Sequence, residues 1–324
     1  MRRLSLIVLV AACGSDGDDD PATGAPGPFF DRPMFFNQDY TGLNPSPISS
    51  QQIAALRAAG GWGNGDRMQI DFSFDVLLAD EAAPLRPFAP TDEFYEPDCD
   101  HVEVPIPDGG NVEGESGYSC DSDGDCHLLV FSPSRKSLYE MWRANINGGS
   151  FAGGCMAVWD TAVSYPDTLR GDQCASADAS GFPIAPMLFT ADEVAAGEID
   201  HAIRFILPND RPKVGYVRPA THATFTDGGD DAISYGVHLR LRADYPIDGL
   251  PSEGAKVVAR AMQKYGMYHA DGGNIALTGA SDRYTTAKWD GLLDPQDLGD
   301  LAVEDFEVMD HGATIALTLD CARE

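Results

Sequence analysis

The segment Tyr139-Glu140-Met141-Trp142-Arg143 sets a carboxylate and an indole two residues apart. On an extended strand, residues two apart face the same side. An indole offers a flat apolar platform to a sugar ring. Desolvation beside it would raise the pKa of Glu140, as general-acid chemistry requires. Glycoside cleavage also needs a second carboxylate across the scissile bond. Asp160, Asp178 and Asp271 are candidates, and spacing does not choose among them. The competing reading is a buried Trp142 with Glu140 paired to an arginine.

A second group lies between His201 and Arg242, where Arg204, Arg211, Lys213, Arg218 and Arg240 occur with His222 and His238. The whole chain holds 51 acidic and 22 basic residues, a formal charge of −29, so this span is a local inversion. If the segments 200–207 and 237–242 are neighbouring strands, Arg204, Arg240 and His238 share one face. Arginine grips carboxylates and sulfates through two parallel hydrogen bonds, so that face suits an anionic group. His201 is a second proton-transfer candidate, and His222 and Asp271 complete the expected ligand-binding set with Trp142. The alternative is ordinary pairing of these arginines with the abundant acids.

Third, Asp121, Asp123 and Asp125 lie between Cys120 and Cys126. Three acids in a closed loop are a candidate calcium site, because calcium takes oxygen ligands. The EF-hand spacing is not met, since Gly124 falls too early and no Glu occupies the twelfth position; the alternative is a solvated turn. No other cofactor is expected. The sequence contains no G-x-S-x-G, H-E-x-x-H, Walker or dinucleotide-binding motif.

The N-terminus sets the expected location. Arg2 and Arg3 precede an apolar run over 4–10, then Ala11, Ala12 and Cys13. This is the layout of a secretory signal over 1–12. Val10-Ala11-Ala12-Cys13 resembles the bacterial lipobox, which implies lipid on Cys13. The run is too short to span a bilayer, which takes about 20 apolar residues. Residues 13–28 follow as a polar tether without a large apolar side chain. Gly14 after the cysteine resembles outer-membrane sorting, so the expected location is the outer membrane or cell surface, with membrane contact only through the lipid. The acidic surface disfavours nucleic acid and anionic headgroups as partners. The expected partner is therefore a polysaccharide or another extracellular ligand.

Six cysteines remain after Cys13, and an even number in an oxidising compartment reads as three disulfides. Proximity favours Cys120–Cys126 and Cys155–Cys174, leaving Cys99–Cys321. No C-x-x-C pair supports a zinc site.

The elements that must position these residues are mostly strands. Met68, Ile70, Phe72, Phe74 and Val76 alternate with polar residues, the strongest strand signal in the chain. Shorter strand candidates are 102–106, 127–131, 138–144, 156–159, 200–207, 237–242, 275–277 and 314–319. Helices are expected over 49–57, capped by Ser49 or Ser50, over 190–197 from a Thr190/Glu193 capping box, and over 252–265 ending at Gly266. Short strands with Gly, Pro and Asp turns predict one mostly-β domain over 29–324. A single jelly-roll-like β-sandwich with two or three short helices is expected.

Segments 175–205, 216–224, 237–245 and 257–274 resemble a group of secreted bacterial proteins. That group shares A-G-x-I-x-H-A-x-R-F, P-A-T-H, R-L-R and Q-K-Y-G segments. The resemblance spans roughly residues 34 to 310 and implies one domain. It highlights His127, Glu140, Trp142, Asp178, His201, Arg204, Pro219, Thr221, His222, Arg240, Tyr265 and Asp271, and it implies no particular reaction. The acidic loop before His127 departs from the pattern. The functional expectation is a cell-surface lipoprotein that binds or cleaves an extracellular, acidic polysaccharide, with Glu140 and His201 in proton transfer. A non-catalytic structural protein and a calcium-dependent adhesive module are the competing classes.

Overall fold

A computed structural model describes residues 29–122 and 124–323. Ten strands build two main sheets. We number them β1 (Ile70–Phe74), β2 (Val76–Leu78), β3 (Leu128–Ser132), β4 (Ser137–Met141), β5 (Met156–Asp160), β6 (Ile203–Leu207), β7 (His238–Leu241), β8 (Met267–Gly272), β9 (Leu277–Ala280) and β10 (Phe306–Val308). The six-stranded sheet runs β1-β9-β6-β8-β7-β10, and the four-stranded sheet runs β5-β4-β3-β2. The longer helices are α1 (Ser49–Ala58), α2 (Ala191–Ala196) and α3 (Glu253–Lys264).

Side-chain alternation decides the layering. Ile203, Phe205 and Leu207 of β6, with Val237, Leu239 and Leu241 along β7, face a core shared with Val257, Val258, Ala261 and Met262 of α3. The opposite face presents Tyr268 and Ala270 of β8 to Leu129, Leu138, Ala157 and Trp159 of the four-stranded sheet. The far face of that smaller sheet, with Leu77, Leu128, Val130, Tyr139 and Met156, is covered by Phe88, Val104 and Phe151. The order is therefore helices, sheet, sheet, then loops with short strand pairs.

The expectation of a mostly-β chain with few helices is met, but the single jelly-roll-like sandwich is corrected. The described strands form five sheets, none closed. β1/β9, β6/β8 and β2/β3 pair in parallel, unlike the antiparallel ladders of a jelly roll. The strongest strand signal also divides. Met68 and Ile70 enter the helix-side core, whereas Phe74 enters the core between the sheets. A register shift between Asp71 and Phe74 makes the crossing. At the corner Asp75 is buried and accepts hydrogen bonds from Asn111 Nδ2 and Ser281 Oγ. Residues 314–319 do not form a strand; only Ile315 bridges, to Tyr216.

Helix chemistry follows the sequence closely. Thr190 Oγ1 accepts from Glu193 N, Glu193 Oε2 accepts from Thr190 N, and Gly197 closes α2 at φ +89°. Ser252 Oγ accepts from Ala255 N to open α3. The expected serine cap of α1 is absent. Ser49 is already helical, and its hydroxyl instead accepts from Val308 N, tying α1 to β10.

Three disulfides are present: Cys99–Cys155, Cys120–Cys126 and Cys174–Cys321. Only the shortest expected pair is retained. Sequence proximity mispaired the other four because the fold brings segments 56 and 147 residues apart into contact. Cys13, the signal and the tether lie outside the described residues. No helix among the described residues is long and apolar enough to cross a membrane.

Candidate functional site

Where β4 ends, the chain turns sharply, with Arg143 at φ +57°. Trp142, just past the end of β4, is half-buried: it packs on the core between the sheets and presents its remaining surface to solvent. It forms one wall of a cleft of about 680 Å³. Other walls come from Phe94 and Tyr95, from the 222–225 loop ending in Phe225, and from Leu319 near the C-terminus. Phe225 is 72% exposed and Tyr95 54%, unusual for large aromatic side chains. Asp271 at the end of β8, His222, Glu96, Asp98 and Asp125 supply its ionisable groups. Two disulfides frame it: Cys99–Cys155 holds the 94–98 loop to the approach of β5, and Cys174–Cys321 holds the C-terminal segment.

The polar side chains are held in defined states. Trp142 Nε1 donates to Asp125 Oδ1 at 3.0 Å, and the Arg143 guanidinium lies 5.4 Å from the indole. His222 Nδ1 lies 2.9 Å from the Ala179 carbonyl oxygen. A carbonyl only accepts, so Nδ1 carries the proton and the neutral ring leaves Nε2 as an acceptor. Burial lowers the His222 pKa, which keeps the ring neutral. Asp271 is pushed up to about 7, first by burial and then by the neighbouring Asp178 carboxylate, against the pull of Arg204. Near neutrality Asp271 is thus a carboxyl group poised between acid and base.

Behind Asp271 lies a buried ion cluster. Arg204 Nε and Nη2 donate to the two oxygens of Asp178 at 3.2 and 2.8 Å. Nη1 donates to Thr278 Oγ1 at 2.9 Å, and Asp271 Oδ2 is 3.6 Å from Nη2. Next to it, His127 Nδ1 sits 2.6 Å from Glu113. Burial opposes charge on His127, but the Glu113 carboxylate prevails and raises it to about 9. Burial likewise opposes charge on Glu113, and His127 prevails, lowering it to about 2.

Glu140 and His201, expected in proton transfer, and Arg204 and Arg240, expected to hold an anionic group, do not line this cleft. Glu140 is fully buried and accepts from Ile184 N, Ala185 N and Trp159 Nε1. Its indole partner is Trp159, not Trp142, and its oxygens are spent holding the 184–185 backbone. Burial raises Glu140 to about 7 against those three donors. His201 is buried between the Ala202 carbonyl and Glu193, 3.3 Å away. Arg240 shares the sheet face with His238, as expected, but is buried against Glu307 and the carbonyls of Tyr40 and Leu43. With Arg204 on Asp178, neither guanidinium reaches the cleft. The arginine-bearing face expected to suit an anionic group is therefore not part of the cleft, whose lining holds four carboxylates and no lysine or arginine.

The loop expected to hold calcium makes contacts of its own. Asp121 Oδ1 accepts from Ser119 Oγ, and Asp125 serves Trp142; Asp123 lies outside the described residues. Glu115 Oε1 ties the loop by accepting from Asp121 N and Ser122 N. Among the described residues, only Glu115, Cys120 and Cys126 approach closely enough to share an ion. Their sulfurs are bonded to each other, so they offer no thiolates.

Of the residues singled out from sequence, Trp142, His222, Asp271 and Asp125 line the cleft. Phe94, Tyr95, Glu96, Asp98 and Phe225 were missed. Their one legible signal was aromatic side chains inside polar, strand-free loops. Fold and cleft together define a mostly-β, disulfide-linked protein with an aromatic, acid-lined hollow. Comparison with protein-family models, with curated proteins and with solved structures finds no match to this chain.

Proposed function

We propose that the chain is an exported, lipid-anchored surface protein whose cleft binds or cleaves an extracellular polysaccharide. The carrying observation is the cleft itself, where exposed aromatic rings stand beside ionisable oxygen and nitrogen acceptors. Stacking on Trp142, Tyr95 or Phe225 would bury the apolar face of a sugar ring. Asp271 is the candidate general acid, since a carboxyl group titrating near 7 can deliver a proton at working pH. His222 Nε2 is the candidate acceptor for a sugar hydroxyl or a water. Glu140 and His201 leave the catalytic assignment because neither faces the cleft.

The experiment is incubation with a panel of polysaccharides, read as new reducing ends or unsaturated products. Turnover should be abolished in Asp271→Asn and should fall above pH 7, as the acid ionises. Trp142→Ala should weaken binding more than it slows turnover. Complete absence of turnover and of retention on any glycan overturns the proposal. Retention without turnover supports the second reading, a non-catalytic binding protein. The burial of Glu140 against N–H donors, and of His201, Arg204 and Arg240 in internal pairs, favours that reading.

A further inference from the structure

We infer that the cleft takes a cationic glycan, a polymer of sugars bearing free amino groups, with each amine held between aromatic faces and carboxylates. This rests on the glycan reading above and fixes its substrate class. It also reverses the sequence expectation of an acidic polymer.

The aromatic walls identify the hollow as a ligand site, and the charge of the lining selects the ligand's sign. Glu96, Asp98, Asp125 and Asp271 line it, against His222 as its one basic residue. His222 is neutral, for the reasons above. The cations nearest the walls already face acids. Arg143 is 3.6 Å from Glu93, Arg204 is engaged by Asp178, and Arg170 and Arg323 both bind Asp100. Arg204 also lies 3.6 Å from Asp271 and offsets that one carboxylate from behind, but no lysine or arginine among the described residues lines the cleft, inside a protein of charge −29. Such a hollow concentrates cations and repels uronates or sulfates. The phenol of Tyr95 and the phenyl of Phe225 attract ammonium groups in addition, most strongly when desolvated, whereas the Trp142 indole already carries the Arg143 guanidinium. An ammonium beside Asp271 favours the ionised carboxylate, so binding at mildly acid pH should release a proton; on such a glycan the cleft acts as in the second reading, by binding alone, without Asp271 as general acid.

The test is calorimetry on the full chain with three probes: glucosamine oligomers, N-acetylglucosamine oligomers of equal length, and oligogalacturonate. The glucosamine oligomer should bind about tenfold or more tighter than its acetylated counterpart, with a salt-sensitive affinity. Its enthalpy should change with buffer ionisation enthalpy, and Asp271→Asn should abolish that dependence. Glu96 is exposed, so Glu96→Gln should leave the fold intact and reduce the preference. Equal binding of the acetylated oligomer, or preference for the uronate, overturns the cationic class and leaves the glycan reading standing. Binding of no oligomer removes both.

Discussion

At the scale of single residues, the core holds a few ionisable side chains, Glu140, Asp178 and Arg204 among them, while Tyr95 and Phe225 stand exposed at the cleft. Glu140 illustrates the cost. Its folded pKa of about 7 lies above the ordinary 4.5, so the native state binds the extra proton between those values. Stability linked to Glu140 is therefore full below about pH 4.5 and is lost as pH rises towards 7. Asp271, raised from 3.8 to about 7, acts in the same direction. Urea midpoints measured across this window should fall with pH, and Glu140→Gln should flatten the slope. Glu140→Ala should cost roughly 3 kcal/mol or more in urea denaturation, because three buried N–H donors lose their acceptor. Arg204→Met should destabilise by about 3–5 kcal/mol, leaving Asp178 charged and buried beside Asp271. If either substitution is neutral by denaturation, the interior pairing described for it is wrong.

At the scale of elements, covalent links and tight turns decide where the cleft walls stand. The segment after Ile315 lies across the molecule as a strap. Gln173 bonds both the Ala316 carbonyl and Thr318 N, Gly171–Asp172 pairs with Ala322–Arg323, and Cys321 is joined to Cys174. Replacing Cys174 and Cys321 together by Ser should lower stability by roughly 2–5 kcal/mol. It should also make 316–323 accessible to limited proteolysis; an unchanged digest would show that the hydrogen bonds suffice. At the end of α3, Gly266 has φ +72°, and a Cβ there would meet His238 Nε2 at 2.1 Å and Leu239 O at 2.6 Å. Gly266→Ala should therefore cost more than the roughly 1–2 kcal/mol of a left-handed residue alone, read as a lower melting temperature.

At the scale of the whole molecule, a charge of −29 means that the folded surface repels itself. Raising ionic strength from about 10 mM to about 150 mM should screen that repulsion and increase the melting temperature. A melting temperature that falls with salt would mean that ion pairs such as Arg57–Glu304 outweigh the repulsion. Layering explains how such a surface coexists with a stable interior. Apolar cores lie on both faces of each main sheet, and buried ionisable groups are either paired, as in Arg204–Asp178 and His127–Glu113, or bound by neutral donors, as in Glu140 and Asp75.

The sequence by itself determined what depends on nearest neighbours. The caps of α2 and α3, the strands around β3 to β7 and the even cysteine count all follow from local periodicity and side-chain chemistry. The facing of Arg204, His238 and Arg240 was legible too, because alternation fixes a face once two strands lie in one sheet. Tertiary structure alone decided what those faces meet. It paired Arg204 with Asp178, 26 residues away, and Arg240 with Glu307, 67 away. It also broke the alternation of 68–76 across two cores and chose two disulfides that proximity mispaired. A partner on a distant segment leaves no periodic trace, whereas its charge sets whether an arginine is a ligand grip or an internal tie. The aromatic cleft was hidden for the same reason: loops far apart in the chain share it, and folding alone brings them together.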